Sequence, residues 1–378
     1  MKRISLLGCT GSVGRTTLDV VRHLPNELQI VALAAGSNLD LLERQVREFH
    51  PAIVAVGNVD KAIEFQKRMP DLHVVAGEEG LCEAAAFDQV DLTLLAMAGN
   101  GGLKPALCAI EAGKQIAIAN KEILVCAGEL IMLRARNKGV KLLPVDSEHC
   151  ALFQCLQGND RKSVRRLILT ASGGPFRSFS HEMLASITIE QALFHPNWQM
   201  GPKITVDSST LMNKGLELIE ARYLFDCPIS SMDVIIHPQS IIHSLVEYCD
   251  GSMLAQMSEP TMALPIQYAL TFPKRQEGLL APFDFLKHPQ LTFEAPDRKK
   301  FPCLMLAEEA LRLGLSYPCF INAANEVLVN RFLNREIRWV DIAYKLEKLM
   351  SSHQAIDVVT LEAVLAIDHE AREKARKC

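Results

Sequence analysis

The chain has 378 residues, with 40 Lys and Arg against 44 Asp and Glu, giving a formal net charge of −4. Roughly 100–200 residues per domain allows two or three domains with real cores; 49% hydrophobic and 22% charged residues exclude a disordered chain. The slightly acidic balance gives no electrostatic reason to expect nucleic acid or an anionic membrane as partner, and nothing approaches the roughly 18 apolar residues of a membrane span. Over residues 1–145 short apolar runs alternate with amphipathic segments. Strands are expected at Arg3–Leu7, Ile30–Ala34, Ile53–Val56, His73–Val75, Leu92–Ala96, Ile116–Ala119 and Lys141–Leu143, with helices such as Arg15–His23 and Leu39–Phe49 between them. That rhythm predicts a parallel, doubly wound sheet, an α/β domain of Rossmann-like type. From Asp146 the pattern changes to a mixed α/β domain, with strands expected at Val164–Thr170, Ile204–Val206, Val234–His237, Ile241–Tyr248 and Met253–Met257 and a helix at Thr210–Leu224. Asp250-Gly251 marks a hairpin turn. Residues 272–300 carry repeated prolines and read as an extended linker, and residues 301–378 read as a helical bundle.

The 11 cysteines form no CxxC pair, and Cys150 and Cys155 lack the further ligands of a zinc site. They are read as reduced, mostly buried thiols of a cytoplasmic protein. The apolar run after Lys2-Arg3 is too short for a secretory signal.

The first βα turn, Gly8-Cys9-Thr10-Gly11-Ser12-Val13-Gly14, spaces its glycines GxxGxxG. Gly8 permits the tight turn, Gly11 lets backbone approach a pyrophosphate, and Gly14 permits close helix–strand packing. The helix that follows presents unpaired N–H groups to phosphate oxygens. A dinucleotide is therefore expected on this turn. No carboxylate follows the second strand, where Gly36, Ser37 and Asn38 stand instead, so nothing repels a 2′-phosphate and NADPH is expected over NADH. The run Ala98–Gly102 either faces the cofactor or forms a plain loop.

Farther on, Asp146 and Glu148 stand two apart after an apolar strand. They are either carboxylates converging on a hard divalent cation or a helix cap with surface acids. Ser208 is expected to close a strand before a helix bearing Asn213, Lys214 and Glu217, a set that suits a phosphate or an ordinary capped helix with an i,i+3 ion pair. Ala171-Ser172-Gly173-Gly174-Pro175 is another strand-to-loop element, and His195-Pro196-Asn197-Trp198 reads as a lid or an anchored surface loop. The basic cluster Arg161, Lys162, Arg165 and Arg166 reads as solvated surface.

These segments, with Ala119-Asn120-Lys121-Glu122, Val145-Asp146-Ser147-Glu148-His149 and Ile236-His237-Pro238-Gln239-Ser240, occur in an order that resembles the 1-deoxy-D-xylulose 5-phosphate reductoisomerase family over nearly the whole chain. The resemblance implies an NADPH-binding domain at 1–145, a catalytic and dimerisation domain at 146–271, a linker at 272–300 and a helical domain at 301–378. It implies Mg²⁺ or Mn²⁺ on Asp146, Glu148 and Glu217, and substrate phosphate on Ser172, Ser208, Asn213 and Lys214. Lys121, Ser147, His195 and Trp198 would line the substrate site, with Lys121 and His195 taking part in catalysis alongside the three acids. Thr10, Gly11, Ser12, Val13, Gly36, Ser37, Asn38, Asn120 and Glu122 would contact the cofactor. The implied protein is a homodimer acting on a phosphorylated sugar, by retro-aldol and aldol rearrangement followed by hydride transfer, in non-mevalonate isoprenoid synthesis. Some members carry a basic residue where Ser37 stands. Two rivals are another NADP-linked sugar-phosphate aldehyde reductase and a non-catalytic dinucleotide sensor.

Overall fold

The structure is a computed structural model and describes residues 1–198 and 200–378. The chain divides into two compact units, one of residues 1–123, 131–150 and 262–282, the other of residues 124–130, 151–261 and 283–378.

The first unit holds β1 (Lys2–Leu7), α1 (Ser12–His23), β2 (Leu28–Ala35), α2 (Leu39–Phe49), β3 (Ile53–Val56), α3 (Val59–Arg68), β4 (His73–Ala76), α4 (Gly77–Ala86), β5 (Leu92–Leu95), α5 (Leu103–Glu111), β6 (Gln115–Ile118) and β7 (Leu142–Pro144). Between β6 and β7 runs α6 (Lys121–Lys138), whose backbone leaves the helical region at Ala127 (φ −136°, ψ 28°). The seven strands are all parallel, in the order β4-β3-β2-β1-β5-β6-β7, so the doubly wound sheet expected from the alternating pattern is present. Strand order reverses between β1 and β5, and in such sheets ligands bind at the carboxyl ends of the strands beside that point. β3 and β5 are buried throughout and apolar but for Thr93, and β1 is buried from Ile4 to Leu7, as strands covered on both faces must be.

After α7 (Ser147–Cys155) come β8 (Val164–Ala171), α8 (His181–Leu184), α9 (Ile189–Ala192), α10 (Pro202–Ser209), α11 (Met212–Phe225), β9 (Met232–Ile236), β10 (Ile242–Tyr248) and β11 (Met253–Met257). These four strands form a mixed sheet in the order β11-β10-β8-β9, with β8 and β9 parallel and the hairpin β10–β11 turning at Asp250-Gly251. α12 (Ala263–Thr271) packs on α1 in the first unit. The prolines of 272–300 leave one isolated bridge, Ile236 to Glu294, and no longer strand. In the second unit α13 (Pro302–Leu313), α14 (Tyr317–Leu333), α15 (Trp339–Ser351) and α16 (Leu361–Lys377) form the bundle, with α14 against the other three.

One expected strand is a helix. Ile204–Val206 lies inside α10, which starts with Gly201 as cap and Pro202 in the first turn. Proline there already has its φ set and lacks only an N–H that the helix start would leave unbonded. The β-branched run Ile-Thr-Val is carried into the helix by packing, with Thr205 and Val206 buried. α1 likewise begins at Ser12 rather than near Arg15.

Candidate functional site

The glycine turn lies at the switch point of the first unit. Gly8 has φ +93°, and a Cβ there would stand 2.4 Å from the Ala96 carbonyl oxygen after β5. A Cβ on Gly14 would stand 2.2 Å from the Gly8 oxygen, so both glycines are required by close backbone approach. α1 has no side-chain cap bond and no acid in its first turn, which leaves its leading N–H groups and dipole for an anion. Burial pushes the Cys9 thiol up to about 12, so this residue stays neutral beside that anion. Gln45, buried on α2, donates from Nε2 to the Cys9 carbonyl at 2.9 Å and braces the turn. Thr10, Gly11, Ser12 and Val13 are partly or fully open to solvent, as are Gly36, Ser37 and Asn38 after β2. The Asn38 oxygen caps α2 by accepting from Leu41 N at 3.2 Å, leaving its amide N–H groups as donors. Asn120 donates to the carbonyls of Met97 and Gly99, joining the loops after β5 and β6; Glu122 stands in the first turn of α6.

Also in the first unit, Lys121 opens α6 after β6 and Asp146 follows β7, the neighbouring parallel strand. Their strand ends are adjacent, and Lys121 Nζ lies 2.5 Å from Asp146 Oδ2 with both side chains largely buried. Ser147 Oγ donates to Glu148 Oε2 at 2.5 Å. The alternation expected to aim Asp146 and Glu148 alike does not apply, because the chain leaves β7 at Pro144 and α7 begins at Ser147. Glu148 is thus a first-turn helical residue.

The second unit gathers the remaining candidates. Ser208 sits in the last turn of α10, not at a strand end, because that segment is helical. Leu211 then adopts a left-handed conformation (φ 61°) and turns the chain into α11. Asn213 Nδ2 donates to Glu217 Oε1 at 2.6 Å, and Lys214 Nζ contacts Glu217 Oε2, with Lys214 and Glu217 nearly inaccessible to solvent. An amide, an ammonium and a carboxylate therefore share one buried cluster. Gly174 (φ +68°) lets its loop lie on the Ser208 backbone, since a Cβ there would be 2.8 Å from the Ser208 oxygen. His195 Nδ1 accepts the backbone N–H groups of Asn197 (3.1 Å) and Trp198 (3.0 Å), so Nε2 carries the proton and donates to Ser172 Oγ at 3.0 Å. Ser172 Oγ also accepts from Gly174 N at 3.3 Å, which leaves its own hydroxyl proton to give outward. Asn197 Nδ2 anchors the loop to the Pro238 carbonyl (2.7 Å) and Ser240 Oγ (2.9 Å), and the Trp198 indole is edge-on to His243 at 6.5 Å.

Both units fit the groups expected on them. A Cβ at Gly8 or Gly14 would crowd the glycine cradle, and the carboxylates of largely buried Asp146 and buried Glu217 are hard oxygen donors already facing cations. Sequence reasoning missed Gln45, and it missed the fully buried ionisable residues His149 and Glu220 that neighbour its candidates. Their types are unremarkable locally, and only burial distinguishes them.

A doubly wound domain with a glycine cradle at its switch point, in a chain that also buries paired acids and an ammonium, defines a dinucleotide-linked oxidoreductase. The family model described as 1-deoxy-D-xylulose 5-phosphate reductoisomerase matches residues 4–128, and the models for its C-terminal domains match residues 142–225 and 257–374. The chain belongs to the 1-deoxy-D-xylulose 5-phosphate reductoisomerase family. It is 57% identical to the reductoisomerase of Protochlamydia amoebophila over 100% of this chain and 98% of that one, and 50% identical to that of Chlorobaculum tepidum over 100% and 99%. Among solved structures, the Zymomonas mobilis enzyme in complex with NADPH superposes with a TM-score of 0.94 at 42% identity, covering 100% of this chain and 98% of that one. A reductoisomerase in complex with NADPH, fosmidomycin and magnesium superposes with a TM-score of 0.95 at 40% identity and the same coverage.

Proposed function

We propose that this chain carries out the reaction of its family, the NADPH- and divalent-metal-dependent conversion of 1-deoxy-D-xylulose 5-phosphate to 2-C-methyl-D-erythritol 4-phosphate. Full-length similarity to reductoisomerases, including one solved with NADPH and magnesium, supports the reading. The observation that carries it is the buried Asn213–Lys214–Glu217 cluster, because a simple dinucleotide reductase has no need of a buried acid shared by an amide and an ammonium.

In this reading Asp146, Glu148 and Glu217 hold the metal, and Ser172, Ser208, Asn213 and Lys214 hold the phosphate. Thr10, Gly11, Ser12 and Val13 receive the pyrophosphate, Gly36, Ser37 and Asn38 the ribose 2′-phosphate, and Asn120 and Glu122 the nicotinamide half. When bound, the cation supplies Lewis acidity toward the substrate's ketone and hydroxyl oxygens and NADPH supplies hydride. Lys121, paired with Asp146, keeps an ammonium beside the reacting oxygens, while Ser147 orients Glu148 through its hydroxyl. His195 orients Ser172 and carries the backbone of the Trp198 loop, which excludes water from carbon fragments that would otherwise escape or be protonated.

A homodimer with Mg²⁺ or Mn²⁺ in the cytoplasm belongs to the same proposal. Among the described residues no helix is long and apolar enough to cross a membrane. β11 is an edge strand with Met253 and Leu254 exposed, and such an edge favours pairing with a second copy about a twofold axis. The test of the activity is NADPH oxidation on addition of 1-deoxy-D-xylulose 5-phosphate, with Mg²⁺ and after chelation. Turnover should require substrate and metal together. Metal-independent turnover would favour an ordinary aldehyde reductase, and none under any condition a dinucleotide sensor.

A further inference from the structure

α10 presents Asp207, Ser208 and Ser209 in succession, and the residues on either side of Ser208 are tied to the helical bundle. Asn325, on α14 and fully buried, donates from Nδ2 to Asp207 Oδ1 at 2.8 Å. Asp207 is itself 1% exposed, and its Oδ2 lies 2.8 Å from Lys203 Nζ one turn back. Trp339, the first residue of α15, donates from Nε1 to Ser209 Oγ at 2.9 Å, and that hydroxyl donates to the Val206 carbonyl at 2.6 Å. Successive helical residues project about 100° apart, so with 207 and 209 held by the bundle, Ser208 is turned to a different side. The backbone of Gly174, two residues along the chain from Ser172, lies against the Ser208 carbonyl at this end of α10.

The joint is an expensive way to hold a helix. Asn325 Oδ1 is buried with no hydrogen-bond partner, and a buried carboxylate and amide cost free energy that packed apolar side chains of similar volume would not. A polar pair accepts one register, however, whereas an apolar contact tolerates sliding, and loss of about 1 Å in the placement of a binding group is costly to a reaction.

We propose that Asp207 and Asn325 are positioning residues that set the height and rotation of α10, so that Ser208 meets the substrate phosphate together with Ser172, Asn213 and Lys214. Neither touches the substrate. The proposal rests on the reading that those four residues hold the phosphate.

The test uses the full chain and four variants: Asn325→Asp, Asn325→Ala, the exchanged pair Asp207→Asn with Asn325→Asp, and Ser208→Ala as reference. Inorganic phosphate binding is titrated calorimetrically, and KM for the phosphorylated substrate, KM for NADPH and Tm are measured alongside. Asn325→Asp sets two carboxylates face to face and should weaken phosphate binding and raise the substrate KM by about tenfold or more, with KM for NADPH unchanged. Asn325→Ala, which adds no charge, should give a smaller change in the same two quantities even if Asn325→Asp fails to fold. The exchanged pair restores an amide-to-carboxylate bond in the reverse sense and should recover most of the lost affinity. A merely structural joint would lower Tm and move both KM values or neither. Phosphate affinity within twofold of native in Asn325→Ala, or no recovery in the exchanged pair, would overturn the proposal. Unchanged phosphate affinity in Ser208→Ala would instead remove the phosphate-site reading beneath it.

Discussion

Replacing Lys214 by alanine tests the phosphate site and the buried acid together. Lys214 is 3% exposed and its ammonium contacts Glu217, which is 1% exposed. A charge-assisted hydrogen bond to a phosphate contributes roughly 1.5–3 kcal/mol. At about 1.4 kcal/mol per factor of ten, its loss should raise the KM for 1-deoxy-D-xylulose 5-phosphate by roughly 10- to 150-fold. A second cost falls on folding, because Glu217 would keep Asn213 but lose the ammonium from its other oxygen, which costs about 1–3 kcal/mol for a buried group. Steady-state kinetics at saturating NADPH and Mg²⁺ measure the first effect and thermal unfolding without substrate the second. KM for NADPH should stay as it was, since Lys214 and the glycine cradle belong to different units. A substrate KM within twofold of native, in a variant of lowered Tm, would show that Lys214 serves only to neutralise Glu217 and would refute its role toward phosphate.

Asp146→Asn removes the charge proposed to hold the metal and half of the Lys121 pair, so turnover in limiting Mg²⁺ should fall at least about a hundredfold with NADPH fluorescence titrations little altered; full activity there would exclude Asp146 from the metal site. Trp198→Gly should lower kcat with calorimetric Mg²⁺ affinity unchanged, whereas lost metal binding would make the loop structural rather than a cover. NADPH should give a higher kcat/KM than NADH, because no carboxylate stands at residues 34–38 to repel a 2′-phosphate; equal values would contradict this. Burial holds the His237 and His353 imidazoles below their ordinary value of 6.5, so the unfolded chain takes up protons first as pH falls. Their contribution to stability is complete above about 6.5 and is lost as pH drops toward the lowered values, so calorimetric Tm should hold near neutrality and decline below pH 6.5; a flat Tm down to pH 5 would be inconsistent with it.

Local patterns made the first unit readable. Its central strands β3 and β5 are short, mostly apolar and buried on both faces, and the GxxGxxG spacing meets a steric need that the Gly8 and Gly14 contacts make plain. The Asn213–Lys214–Glu217 cluster was legible because these residues share a helix at spacings of three and four, whatever the elements before it. α10 was misread because Ile-Thr-Val favours strands by side-chain shape, while the deciding signals were the Gly-Pro start and burial against α14. α14 begins at Tyr317, where Pro318 starts the helix rather than breaking it, and its fully buried Cys-Phe-Ile run shows no periodicity. Links between distant residues left no trace in either sequence segment. Asp207 and Asn325 are 118 positions apart, and Gln45 reaches the Cys9 carbonyl across 36.

Carbon-13 NMR of the product made from uniformly labelled 1-deoxy-D-xylulose 5-phosphate, NADPH and Mg²⁺ reads the rearrangement itself, which distinguishes this chemistry from every simple reduction. The expected product is 2-C-methyl-D-erythritol 4-phosphate, with the methyl carbon bonded to a quaternary carbon and one NADPH oxidised per product. A straight-chain reduced sugar phosphate, formed with NADPH consumed but no quaternary carbon, would contradict it.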